Sequence, residues 1–143
     1  MSLEKVLCDL ACRDLIHLFG LALDENDNDR ALQLTSDDFA TETSDGEWGV
    51  HEARARLLGR SPTNFTRHLI SNVTVTPTGK NTARGAAYLI VYRVPAGAGL
   101  ALPLPLPKTP QGVGQWRFEF RETKVGWRIS RWVIELALAP EAA

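Results

Sequence analysis

The alternation of apolar and polar positions divides the chain into a helical first part and a second part of long strands. Leu3, Val6, Leu7, Leu10, Leu15, Leu18, Phe19 and Ala22 recur at spacings of three and four, with one slip, which predicts a long amphipathic helix. The polar run Asp24-Glu25-Asn26-Asp27-Asn28-Asp29 breaks it and supplies the caps for a second, short helix through Arg30 to Leu34. Ser36-Asp37-Asp38 is expected to end that helix, Phe39 to Thr43 to form a short strand, and Ser44-Asp45-Gly46 to turn. A third helix is expected over Val50 to Leu58, closed by Gly59.

Beyond Ser61-Pro62 the period changes to two. Thr66 to Thr76 reads as a strand with Leu69, Val73 and Val75 on one side and His68, Ile70, Asn72 and Thr74 on the other. Pro77 to Asn81 reads as a hairpin turn, and Thr82 to Val94 as a strand apolar on both faces, so both faces should be covered. In the strand Gln115 to Thr123, Trp116, Phe118 and Phe120 alternate with Arg117, Glu119 and Arg121. Lys124-Val125-Gly126 turns the chain into a last strand, Trp127 to Leu138. Between the second and third long strands lies a Gly-, Ala- and Pro-rich segment, 95–113, in which Leu100, Leu102, Leu104 and Leu106 alternate with small residues and prolines. Repeated proline favours an extended, polyproline-like course. It reads either as a surface loop covering an apolar strip or as a lid or dimer arm.

Composition narrows the function classes. The 143 residues fit one domain, 1–143, and the 44% apolar and 23% charged content is that of a globular protein. A formal net charge of -1 with no basic stripe speaks against nucleic acid. Arg117, Arg121, Arg128 and Arg131 do cluster, but Glu119, Glu122 and Glu135 are interleaved, which reads as an ion-paired, solvated face. The first residues do not form a signal peptide, and the apolar run near Leu104 is broken by Pro103, Pro105 and Pro107, so no membrane association and a cytoplasmic location are expected. Cys8 and Cys12 share a helix face four residues apart; a bridge would strain the helix and no further ligands stand nearby. They read as small apolar residues, and no metal site is expected.

The order of elements, three helices with a short strand among them and then a run of long strands, resembles the nuclear-transport-factor-2-like superfamily and, within it, the SnoaL-like group. The local echoes are Ala22-Leu23-Asp24 with Asp27 and Asp29, then Thr66 to Val73, Ala86 to Arg93, and Gly126-Trp127-Arg128-Ile129. The resemblance implies an α+β fold: a cone-shaped roll in which a strongly curved, mostly antiparallel sheet wraps around the N-terminal helices and encloses a pocket. It also implies a homodimer through the outer face of the sheet. Asp24 and His68 resemble the aspartate–histidine pair of scytalone dehydratase-like enzymes. The tyrosines of that family fall on Leu23 and Thr43 here, its second histidine falls near Arg93, and its pocket amide on Trp116. His68-Leu69-Ile70-Ser71-Asn72-Val73 and Tyr88 to Arg93 also resemble the β subunits of aromatic-ring-hydroxylating dioxygenases, which hold no iron and support a larger catalytic subunit.

The candidate chemistry follows. A histidine titrates near neutral pH and can accept and return a proton, and Asp24 can fix its tautomer. The pair suits proton abstraction next to a carbonyl without metal or organic cofactor, as in a lyase of dehydratase type or an isomerase. Asn72, Tyr88, Trp116 and Phe118 are the candidate ligand-binding residues for a small hydrophobic or aromatic ligand. Tyr92 shares the face of Tyr88 and Ile90, which puts Arg93 opposite. The alternative is a non-catalytic accessory subunit or ligand-binding module.

Overall fold

A computed structural model of the chain describes residues 2–95, 97 and 101–141. Ser2 starts the first helix, its Oγ accepting from the Lys5 N–H at 3.3 Å. Helix α1 (Leu3–Asp24) buries Cys8, Cys12, Leu15, Ile16, Phe19, Ala22 and Leu23, a stripe at helical spacing, while Leu3, Leu7 and Leu10 of the same pattern face outward. Asp27 caps α2 (Asn28–Gln33) by accepting from the Arg30 N–H at 3.1 Å. Helix α3 (Val50–Leu58) ends at Gly59 as expected and buries Ala53 and Leu57.

Among the described residues, six strands follow the order β2-β1-β6-β5-β4-β3 in one open sheet. They are β1 (Thr35–Thr43), β2 (Gly46–Trp48), β3 (Asn64–Pro77), β4 (Thr82–Pro95), β5 (Gly112–Thr123) and β6 (Gly126–Leu138). All neighbours are antiparallel except β1 and β6, which run parallel. The helices pack on one face, so the architecture is α+β with a mixed, mostly antiparallel sheet. No helix of the described residues is long and apolar enough to cross a membrane.

Two local expectations change. Ser36-Asp37-Asp38 does not end α2 but lies inside β1; the Ile129 N–H donates to the Leu34 carbonyl at 2.9 Å and Thr35 pairs with Ile129, so β6 draws this polar segment into the sheet. Gly46 to Trp48, taken as the end of a turn and beyond, forms β2 against β1. The proline-rich segment is one residue shorter at its start and two at its end, because Pro95 closes β4 and Gly112 opens β5. Leu100 lies outside the described residues; Leu102 and Leu106 are 66% and 83% exposed.

The core forms where α1 lies on the inner face of β5 and β6. Phe19 meets Trp116, Phe118 and Trp132 edge-on, with ring centroids 6.2, 6.3 and 4.8 Å apart. A Cβ at Gly20 would stand 2.7 Å from Ile70 Cδ1, so this glycine lets the helix approach β3 closely. Three of the four clustered arginines are ion-paired: Arg117 with Glu135, Arg121 with Asp38, and Arg131 with Glu42 and Glu47; Arg128 donates instead to the Trp127 carbonyl at 2.8 Å.

Candidate active site

The polar run that ends α1 also ties it to the approach to β3. Asn26, at φ 55, donates to the carbonyls of Pro62 and Asn64 at 3.2 and 3.0 Å. Asn28 donates to the Arg60 carbonyl at 3.2 Å, and Arg60 Nη1 to the Leu23 carbonyl at 3.2 Å. These bonds hold the last turn of α1 over the start of β3, where Asp24 faces His68. Asp24 Oδ2 accepts from the His68 backbone N–H at 2.9 Å, and Asp24 Oδ1 bonds His68 Nδ1. Both carboxylate oxygens are therefore engaged by one residue. The two side chains are only 9% and 7% exposed. An ionised carboxylate only accepts, so this bond needs the proton on Nδ1 and leaves Nε2 as the ring nitrogen outside the contact.

His68 lines a cavity of about 310 Å³ together with Leu23, Leu89, Val91, Trp116 and Trp132. The Trp116 ring lies against the imidazole, with centroids 5.0 Å apart. Arg60 and Arg93 also line it. Burial lowers the Arg60 guanidinium below its ordinary value, the nearby Arg93 charge lowers it further, and Asp24 acts in the opposite sense. Glu135 belongs to the same wall but is held by Gln115 at 2.7 Å and Arg117 at 3.0 Å. Gly114 completes the wall where a side chain would run into the backbone of Glu135. The cavity wall is mostly apolar, with one histidine whose free nitrogen can take a proton.

The six sequence candidates separate. His68 and Trp116 line the cavity, and Asp24 is bonded to His68 without itself lining it. Phe118 is buried in the core behind it, against Phe19 and Trp116, and does not line it. Asn72 and Tyr88 lie on the other side of the sheet. For Asn72 the cause is a bulge between Ser71 and Thr74, with Asn72 at φ 53. The extra residue reverses the alternation, so Val73 and Val75 join the inward face of His68 and Ile70, while Asn72 and Thr74 are exposed. For Tyr88 the cause is that β4 is apolar on both faces. Ala87, Leu89 and Val91 point inward; Tyr88 and Ile90 point outward. The same phase brings Arg93 to the cavity. Arg60 and Trp132 were missed by the sequence reading; Arg60 sits in a connection with no period, and Trp132 in a strand whose phase the sequence does not declare. Among the described residues no three His, Cys, Asp or Glu side chains cluster as metal ligands would.

This arrangement, N-terminal helices on an open six-stranded mixed sheet, is that of a nuclear-transport-factor-2-like domain. The chain belongs to the SnoaL-like domain family, which matches residues 4–133. Three solved structures share the fold at low identity. An NTF2-like protein with a cystatin-like fold from Novosphingobium aromaticivorans is 24% identical, with 92% of this chain and 84% of that one covered and a TM-score of 0.71. A scytalone dehydratase-like protein from the same species is 15% identical, with 100% and 93% covered and a TM-score of 0.77. The hexachlorocyclohexane dehydrochlorinase LinA-type3 from Novosphingobium barchaimii is 12% identical, with 100% and 95% covered and a TM-score of 0.75. No curated protein sequence matches the chain significantly.

Proposed function

We propose that the protein is a lyase or isomerase working without a cofactor, in which His68 moves a proton and Asp24 orients it. The observation that carries this reading is the bonding of Asp24 to both Nδ1 and the backbone N–H of His68, at the wall of a largely apolar cavity. Two structural neighbours named for eliminations, a scytalone dehydratase-like protein and a dehydrochlorinase, are in keeping with it. In a dehydration, His68 Nε2 takes the proton from the carbon next to a carbonyl. The C–H electron pair becomes the new C=C bond as the C–O bond at the neighbouring carbon breaks. The imidazolium then returns the proton to the departing hydroxide, giving water. In an isomerisation it returns the proton to another carbon. Asp24 stabilises the transient imidazolium without itself taking the proton.

The test is turnover of a panel of aryl-bearing β-hydroxy ketones and β-hydroxy acids, followed by absorbance of the conjugated alkene. His68→Gln is expected to lower turnover by roughly 10²–10⁴-fold while circular dichroism is unchanged. Asp24→Asn, which offers an amide where the imidazole needs an acceptor, is expected to lower it similarly. Full turnover in His68→Gln would sink the proposal.

The cavity's apolar wall suits a small hydrophobic or aromatic ligand. A homodimer belongs to the same proposal. Leu69, Tyr88 and Ile90 are 50%, 56% and 39% exposed on the outer sheet face, brought side by side by the β3–β4 pairing of Leu69 with Ile90 and Ser71 with Tyr88. The accessory-subunit reading draws on this same face.

A further inference from the structure

We propose that the cavity takes a small organic carboxylate, its carboxylate group seated between Arg60 and Arg93 and its apolar body against Leu89 and Trp116. The inference rests on the same cavity as the His68 reading and names the class of ligand it holds.

Two cations line one cavity with His68. Like charges brought together repel, so such a pair persists where an anion is meant to share them. No carboxylate among the described residues forms an ion pair with either Arg60 or Arg93, although six arginine–carboxylate contacts occur elsewhere. The two acids nearest in function are committed to other groups: Asp24 gives both oxygens to His68, and Glu135 is tied to Gln115 and Arg117. Among the described residues Arg60 makes one side-chain bond, from Nη1 to the Leu23 carbonyl, which leaves the rest of its donor fork for a ligand.

Two guanidinium groups, which only donate, match the acceptor-only chemistry of a carboxylate. A neutral amide, which also donates, fits them less well.

The test uses the full chain and isothermal titration at pH 8 with trans-cinnamate and with cinnamamide, its neutral counterpart of nearly equal shape. Cinnamate is expected to bind about tenfold or more tightly than cinnamamide. Arg60→Gln and Arg93→Gln are each expected to weaken cinnamate by about tenfold and leave cinnamamide unchanged, with Arg93→Lys retaining part of the preference. His68→Gln should keep the preference, because the base is not the anion's partner. Arg93 stands near the exposed end of β4, so its variants carry the test even where Arg60→Gln loses the bond to Leu23 and fails to fold. Equal binding of the two probes, absence of binding by either, or a preference that survives Arg93→Gln and disappears with His68→Gln would overturn the proposal. Each of these results leaves the turnover test of His68 to stand or fall separately.

Discussion

At the scale of the residue, one backbone angle decides what the site contains. Asn72 at φ 53 occupies the left-handed region, which asparagine tolerates better than most residues and β-branched residues poorly. Its bulge turns Val73 and Val75 inward and keeps His68 in phase with Thr66 and Ile70 at the cavity end of β3. Asn72→Gly is therefore expected to leave stability within about 0.5 kcal/mol, whereas Asn72→Val should cost about 1–2 kcal/mol, read from urea unfolding. Equal stability of the two variants would show that the bulge does not depend on this residue. The strict alternation expected from the sequence placed Asn72 beside His68. Period-two reasoning holds only until a residue is inserted, and a lone asparagine in a strand does not announce the insertion by itself.

At the scale of the element, α1 is both a core wall and the bearer of the acid. Its buried face carries Cys8 and Cys12, which are free thiols. Burial raises both thiols above their ordinary value, Cys12 far more than Cys8, and the neighbouring Asp9 adds to the rise in each. A thiol whose folded pKa is raised contributes stability that is fully present below the unfolded value, 9.0, and lost as pH climbs above it, because the unfolded chain ionises first. The melting temperature is accordingly expected to fall between about pH 9 and pH 11, and to fall less in Cys12→Ala than in the parent protein. An identical decline in both would assign the loss to other groups. The helix itself was legible from its spacing of three and four. Less legible was which turns are covered: Leu3, Leu7 and Leu10 continue the pattern yet stand exposed, while the buried stripe runs through the cysteines.

At the scale of the whole molecule, the outer sheet face is the feature that a lone chain leaves uncovered. Leu69, Tyr88 and Ile90 lie together there, opposite the helices. Light scattering at tens of micromolar protein is expected to give twice the chain mass, and Tyr88→Asp to shift it to a single chain with unchanged circular dichroism. A single chain in the parent protein would remove the dimer from the reading.

The sequence by itself determined what depends on neighbours a few residues apart. The three helices, the Asp27 cap, the stop at Gly59, the hairpin at Pro77 to Asn81 and the aromatic stripe Trp116, Phe118 and Phe120 all follow from local spacing and capping chemistry. Tertiary structure decided what depends on pairing between distant segments. It drew Ser36 to Asp38 into a parallel pair with β6 and laid Gly46 to Trp48 against β1. It also chose which apolar face of β4 points inward, sending Tyr88 out and Arg93 to the cavity, and set Arg60 under the last turn of α1. Such choices rest on the sum of many contacts made at once, and a strand apolar on both sides or a connection without a period carries no local mark of the outcome.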